Sequence, residues 1–576
     1  MHKLFLGVAA TVHDPAVAIM DESGELLFAE ALERPMQHKI GWDLSPVGMF
    51  SYLENVLKRF HTPDTTWQVG VSWRFDAKKG IHESSNSSGI NLSLPPNSKA
   101  IPDGLWGQWL YEMQAQYLER LDRLLPFTVS AITQQPNLKL ERFDHHLTHA
   151  ANACYFYHGS EPALVLIVDG EGEIGSLSCY ELSDGQLSRV GRSWGPGSLG
   201  GLYGTITNVI GFDLRKGEEW KVMGLSAYGE FDDAVYHDIK QLVSFKNGSL
   251  VACDDNKRNE FLRKYSAAKY QYDEQPQNAA NVAYAAQKVF EEIMMEVVSH
   301  FQSKTGHRHL ILGGGCALNS RFNGLLSESQ LFESVFVSPA PGDDGNAVGV
   351  AALLHNKAMT SSCLGNGRFT SPYLGSTFSP KTLERFVQQH GNVFLAENDS
   401  ELCDQVAKEL ADGKLVAWVQ GRSEFGPRAL GNRSILANPS VRNTKDIINS
   451  KIKFREGYRP FAPAIMNEYG DEWFEHYQEW PYMGAAITWK QEKCEQVPGV
   501  VHADRTGRVQ SVSLGTNPLF YKLLSAFKQQ TGIPILLNTS LNVMGKPIVN
   551  SVEDAVAVFF TSGLDVLVID NYVFKK

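Results

Sequence analysis

No stretch of this 576-residue chain approaches 18 consecutive apolar residues, which argues against a membrane-spanning helix. Cysteine is sparse. The seven residues, at 154, 179, 253, 316, 363, 403 and 494, are odd in number, widely spaced and free of any CxxC pair. That excludes a disulfide framework and a zinc ribbon. Walker A and HExxH motifs are missing. Basic charge is in deficit, with 53 Lys and Arg against 64 Asp and Glu for a net charge of −11. A general nucleic-acid binder needs a basic face, so that class is disfavoured. The opening, MHKLFLGVAATVHDPAV, has an apolar stretch too short for a signal peptide and runs straight into a strand-like pattern. A soluble, reduced, cytoplasmic protein is expected.

What is present is enough for a packed core: 43% of residues are hydrophobic and 20% charged. At roughly 100–200 residues per domain the length predicts two to four folding units. The first thirty residues read as three strands, with Leu4–Ala10 and Ala16–Met20 apolar and Glu25–Ala29 following a hairpin signal at Asp21–Gly24. A similar unit returns at Ala163–Val168, Asp169–Gly175 and Ser176–Leu182. Two copies of strand, acidic Gly-rich turn and strand predict a duplicated α/β core, as in actin-like ATPases. Residues 78–104 are rich in Ser, Asn, Gly and Pro and read as a long surface loop, a candidate lid. Asn278–Lys304 has helical periodicity and leads to a buried strand at His309–Leu312, then Gly313, Gly314 and Gly315. Backbone N–H groups of such a loop can approach a phosphate or ribose. Composition shifts at Met359–Ser379, which sets an expected boundary between residues 1–360 and 361–576. The second part is α/β as well.

Several residue groups could carry chemistry. His145 and His149 lie four apart, so on a helix they share a face and can converge on one metal. With 17 histidines in the chain such a pair arises readily by chance. Asp169 and Asp343 alter that balance, because each sits in a Gly-flanked acidic turn at an expected strand end. Two His and two Asp form a mixed N/O set suited to Fe(II), Mn(II) or Zn(II). His13 follows the first strand and is a candidate general base, with an ordinary turn histidine as the alternative. Residues 421–460 reverse the overall charge, with six Arg and three Lys against two Glu and one Asp. Together with Arg508 and the run Asn538-Thr539-Ser540, these forks and hydroxyls suit a small dense anion.

Taken together, these residues resemble the O-carbamoyltransferase family of natural-product biosynthesis. The likeness rests on DHHLTHAA at 144–151, VDGEGE at 168–173, EEWKVMGLSAYG at 218–229, GGGCALN at 313–319, GDDG at 342–345, GRSEFGPRALGNRSI at 421–435, YRPFAPAI at 458–465 and LLNTSLN at 536–542. It implies an actin-like (ASKHA) first domain, like the tRNA threonylcarbamoyl-transfer protein, and a YrdC-like second domain. The second domain would make carbamoyl adenylate from carbamoyl phosphate and ATP with Mg2+. The first would pass the carbamoyl group to a hydroxyl of a small-molecule acceptor. By this likeness His145, His149, Asp169 and Asp343 hold a divalent metal, with Fe2+ favoured, and His13 stands beside the acceptor hydroxyl. Arg428, Lys453, Arg459, Arg508, Asn538 and Ser540 form the carbamoyl-phosphate and nucleotide pocket. Lys39, Lys221, Gly313, Gly314, Gly315 and Asn319 are the nucleotide-contacting positions of the first domain. The expected partners include no nucleic acid and no membrane, and extend to a second copy in a homodimer. The alternatives are threonylcarbamoyl transfer to tRNA, hydrogenase maturation by carbamoyl transfer, and a nucleotide-binding regulator without chemistry.

Overall fold

Why the chain folds as it does is visible first in its hairpins. β1 (His2–Val8), β2 (Ala16–Asp21) and β3 (Leu26–Ala31) are almost continuously buried and pair antiparallel, the first two through residues 9–15 and the last two through a tight turn. β4 (Thr65–Ser72) and β5 (Leu140–Phe143) then add in parallel beside β1, giving the order β3-β2-β1-β4-β5. The second copy begins with the meander β6 (Ala163–Val168), β7 (Leu177–Ser183) and β8 (Gln186–Arg192). A separate two-stranded ribbon, β9 (Val243–Lys246) and β10 (Ser249–Ala252), intervenes. β11 (His309–Gly313) and β12 (Ser334–Val337) then join β6 in parallel, giving β8-β7-β6-β11-β12. The two sheets have the same strand order and the same sense of pairing. The duplication expected from residues 4–29 and 163–182 is therefore real, and the architecture is actin-like. This computed structural model describes residues 2–42, 50–74, 105–194, 197–270, 277–365, 367–391 and 393–576. The loop expected over 78–104 lies outside them.

Two buried helices, His145–Phe156 and Asn346–Ala358, pack against each other, and the latter lies on β1, β2 and β4. Contact is very close at Gly7, where an added Cβ would stand 2.0 Å from the Ala347 carbonyl oxygen. The helix can only reach the sheet because this position has no side chain. The arrangement carries the turn after β1, the end of β6 and the start of each helix to one place.

The second part is built on an eight-stranded mixed sheet. Its strands are β13 (Val393–Leu395), β14 (Val416–Val419), β15 (Arg433–Ala437), β16 (Ala462–Met466), β19 (Gln510–Val512), β20 (Ile535–Ser540), β21 (Val566–Ile569) and β22 (Tyr572–Lys575), in the order β13-β22-β21-β14-β15-β20-β16-β19. β17 (Ala486–Thr488) and β18 (Thr506–Arg508) form a short ribbon beside it. The apolar core does not stop at residue 360. Val337, Leu326, Trp480 and Ile487 belong to one continuous cluster. The Gln478 amide accepts from the Val335 N–H at 3.2 Å and donates to the Val335 carbonyl at 2.5 Å, covering the free edge of β12. Among the described residues no helix is long and apolar enough to cross a membrane.

Gly7→Ala tests the close approach. Overpacking of this kind costs about 1–3 kcal/mol, so the variant is expected to unfold at a clearly lower temperature than the wild type in a thermal melt.

Candidate active site

The helix His145–Phe156 starts at Asp144, whose carboxylate accepts from the Leu147 N–H at 3.0 Å and is held by Arg192 at 3.0 Å. One turn of this helix places His145 and His149 side by side, with their Nε2 atoms 3.2 Å apart. Asp169, following β6, brings Oδ2 to 3.1 Å from His145 Nε2 and 3.3 Å from His149 Nε2. Asp343 brings Oδ1 to 3.1 Å from His149 Nε2 and 3.5 Å from His145 Nε2. One ligand atom from each of the four lies within 4.8 Å of the others, and all four residues are buried. Two imidazole nitrogens and two carboxylate oxygens facing one point fit a divalent metal. The electrostatics agree with this. Burial opposes charging of the imidazoles, yet Asp343 and Asp169 raise the pKa of both His145 and His149 above the ordinary value. Burial likewise opposes ionisation of the carboxyls, and the two histidines hold Asp169 and Asp343 below the usual range. A cation would replace the protons that this cluster attracts.

The three glycines serve this centre. Gly314 has φ +84°, and a Cβ there would stand 2.3 Å from the Val168 carbonyl oxygen. The close approach lets the Gly315 N–H donate to Asp169 Oδ1 at 2.7 Å, leaving Oδ2 for the imidazoles. The expected phosphate loop thus spends a backbone donor on a carboxylate ligand. Asn319 is also committed, to the Phe322 N–H as a helix cap and to Gln287. A further group, not singled out in the sequence, is Asn346. Its fully buried amide lies 3.4 Å from His145 Nδ1 and accepts from Thr148 Oγ1 at 2.9 Å.

His13 stands at the rim. Its Nδ1 is 3.0 Å from Asp14 Oδ2 and 3.8 Å from Asp343 Oδ2, and its ring lies 5.3 Å from that of Trp42. Desolvation acts to lower its pKa, but the hydrogen bond to Asp14 and the charges of Asp343, Asp14 and Asp169 raise it to about 9. A cation held by the four ligands would oppose that rise.

A second concentration of charge lies in the mixed sheet. Arg428, on the loop before β15, and Arg508, ending β18, have no hydrogen-bond or ion-pair partner among the described residues. Burial, then Arg428, Arg455 and Arg459, drives the Arg508 pKa well below its ordinary value. Lys453 is buried and donates to Ser540 Oγ at 3.1 Å and Asn542 Oδ1 at 2.5 Å; burial and the nearby arginines lower its pKa strongly. Asn538 bonds Gln510 at 2.7 Å and the Ala429 carbonyl at 3.2 Å, fixing the Arg428 loop. Not every charge in the motif is free. Glu424 accepts from the N–H groups of Leu430, Asn432 and Arg433, and the Arg433 guanidinium is fully buried on carbonyls of Gln420, Asn432 and Gly421. These two shape the loop.

Lys39 and Lys221 face the second part. Lys221 Nζ pairs with Glu218 at 2.8 Å and with Glu456 at 2.9 Å. Lys39 lies 5.6 Å from the Trp220 ring, over which the Arg459 guanidinium stacks at 3.6 Å. Both lysines thus stand beside Trp220.

A family model described as Carbamoyltransferase N-terminus matches residues 97–352, and one described as Carbamoyltransferase C-terminus matches residues 407–576. The chain belongs to the carbamoyltransferase family. The membership makes it an enzyme that transfers carbamoyl groups. This carbamoyltransferase is 37% identical to nodulation protein NolNO of Sinorhizobium fredii over 441 residues, which is 75% of this chain and 63% of that protein. It is 30% identical to the 3'-hydroxymethylcephem-O-carbamoyltransferase of Amycolatopsis lactamdurans, over 74% of this chain and 80% of that one. Among solved structures it is similar to full-length HypF in its phosphate- and nucleotide-bound form, at 12% identity and TM-score 0.34, over 62% of this chain and 55% of that one. That last likeness is too distant to add to the argument.

Removing one imidazole tests the centre. Elemental analysis of carbamoyltransferase purified without air is expected to find divalent metal in the wild type and little in His149→Ala. Equal content in the two proteins would remove the site.

Proposed function

We propose that this carbamoyltransferase is an ATP-dependent O-carbamoyltransferase working in two steps at two sites. The observation that carries the reading is the buried arginine pocket, in which Arg428, Arg455 and Arg459 are close enough to lower the Arg508 pKa, and in which Arg459 pairs with Glu456 at 3.4 Å while Arg428 and Arg508 have no partner among the described residues. Buried cations without counter-ions are costly, and a polyphosphate or acyl phosphate supplies the missing charge. Residues 361–576 thus take carbamoyl phosphate and ATP with Mg2+. Carbamoyl phosphate is hydrolysed to carbamate and phosphate. A carbamate oxygen then attacks the α-phosphorus of ATP, the bond to the β-phosphate breaks, and carbamoyl adenylate and pyrophosphate result. Arg428, Arg508, Arg459 and Lys453 hold the phosphoryl oxygens, with Ser540 and Asn538 ordering the floor of the pocket.

Residues 1–360 carry the second step. His145, His149, Asp169 and Asp343 would hold a divalent metal, of which Fe(II), Mn(II) and Zn(II) suit the donor set. Such an ion supplies polarisation of a phosphate or carbonyl oxygen. His13, at the rim, removes the proton of the acceptor hydroxyl while that oxygen bonds to the carbamoyl carbon and AMP leaves. The acceptor is a hydroxyl of a small natural product, a reading supported by the cephem relative's name. Threonylcarbamoyl transfer to tRNA fits less well with a net charge of −11.

Two substitutions separate the steps. Arg508→Ala is expected to slow carbamoyl-phosphate-dependent pyrophosphate release by about 10²–10³-fold, as for removal of one oxyanion donor, and to spare transfer from supplied carbamoyl adenylate. Equal failure in both assays would overturn the two-site division. His13→Asn is expected to leave pyrophosphate release intact and to lower formation of carbamoylated product by roughly 10²–10⁴-fold, measured by mass spectrometry across a panel of polyhydroxylated acceptors. Product formation at the wild-type rate would make His13 a turn residue only.

A further inference from the structure

The imidazole of His145 is fixed at its edge more firmly than across its face. Nε2 meets Asp169, Asp343 and His149, while Nδ1 has one long contact among the described residues, the Asn346 amide at 3.4 Å. Contacts at one end leave a ring able to tilt. What lies over this ring is an indole. The Trp73 ring centroid is 4.6 Å from that of His145, with the two planes 33° apart, a separation at which aromatic rings attract. The backbone that delivers the indole is strained. Trp73 follows β4 and has φ +134°, a region that residues with a bulky side chain rarely adopt. It is held there from two sides. The Trp73 N–H donates to the Phe143 carbonyl at 2.8 Å, and the next N–H, of Arg74, donates to Glu173 Oε1 at 3.0 Å. Glu173 also accepts from the His145 N–H, at 3.1 Å to each carboxylate oxygen. One carboxylate thus ties the strained turn to the first residue of the histidine helix. No hydrogen bond explains the indole's place, because Nε1 is buried without a partner among the described residues. Its contact with the apolar cluster of β1 and β4, which includes Ala10 and Val71, asks only for an apolar side chain. A glycine would occupy the turn without strain. What Trp73 adds is the ring over His145.

We propose that Trp73 is a positioning residue whose indole clamps the face of His145 and so sets the direction in which Nε2 points. The proposal rests on the reading of His145, His149, Asp169 and Asp343 as metal ligands. A ligand imidazole is ordinarily steered by a carboxylate, carbonyl or water on its other nitrogen, and loss of such an outer contact costs about 10–100-fold in metal affinity. At His145 the steering contact is aromatic. A strained backbone persists only where its surroundings over-determine it, and Phe143 and Glu173 do so for Trp73. The ring, not the backbone, is the part that acts on His145, and substitution separates the two.

The test needs neither acceptor nor turnover. Full-length protein is freed of metal with a chelator and titrated with cobalt(II), whose visible absorption bands report the placement of its ligands. Thermal melts identify the variants that are folded. Trp73→Phe keeps a ring on the strained backbone and is expected to bind cobalt within about twofold of the wild type, with the same bands. Trp73→Leu keeps apolar bulk and strain without a ring, and Trp73→Gly removes both ring and strain. Both are expected to bind cobalt roughly 10–100-fold more weakly, with altered bands. Wild-type affinity and bands in folded Trp73→Leu or Trp73→Gly would overturn the proposal. So would Trp73→Phe binding as weakly as Trp73→Leu, since an aromatic face would then count for nothing. If Trp73→Gly does not fold, the comparison of Trp73→Phe with Trp73→Leu decides alone. A wild type that takes up no cobalt, or His149→Ala that takes it up equally well, would instead bring down the ligand reading, and this inference with it.

Discussion

Like charges held close together away from water are the constraint on which this structure turns. At one end, Asp169 and Asp343 converge on a pair of imidazoles, with Asp14 and His13 beside them. At the other, Arg428, Arg455, Arg459 and Arg508 converge on each other. In the first group each carboxylate is balanced by an imidazole; in the second only Arg459 has a carboxylate partner, Glu456. The donor set of the first suits a cation and the arginines of the second suit an anion.

That rigidity comes from backbone rather than from the charged side chains. The Asp144 cap and the Arg192 pair set where the histidine helix begins. Gly314 permits the close approach that lets Gly315 fix Asp169. Gly7 lets the second helix come down on β1. Glu424 and Arg433 are wholly occupied in shaping the loop that presents Arg428. Much of the polarity of this segment is therefore scaffold. Arg428 and Arg508 are left without protein partners among the described residues.

The core is continuous across residue 360. Val337 and Leu326 share a cluster with Trp480 and Ile487, and Gln478 completes the hydrogen bonding of a strand from the other part. This apolar seam holds the two parts together, which a linker of the length of Met359–Ser379 alone would not.

Much of this was legible in the residues alone. The repeated strand–turn–strand pattern at 4–29 and 163–182 dictated a duplicated core, because short apolar runs and turn chemistry are local properties. His145 and His149 had to share a face, since a helix repeats every 3.6 residues. The net charge of +6 over residues 421–460 marked where arginines would concentrate. The parallel additions of β4, β5, β11 and β12 were not legible, because parallel pairing joins strands far apart in sequence. Nor was the fate of Lys39, Lys221 and Asn319. Their side chains are the same as those of ligands, and only the neighbours that folding brings, Glu456, Trp220 and Gln287, determine that they bond within the protein. Trp220 carried no signal at all: only folding brings Arg459, 239 residues further along the chain, onto its face. Local chemistry was written in the chain, and the pairing of distant charges was decided by packing.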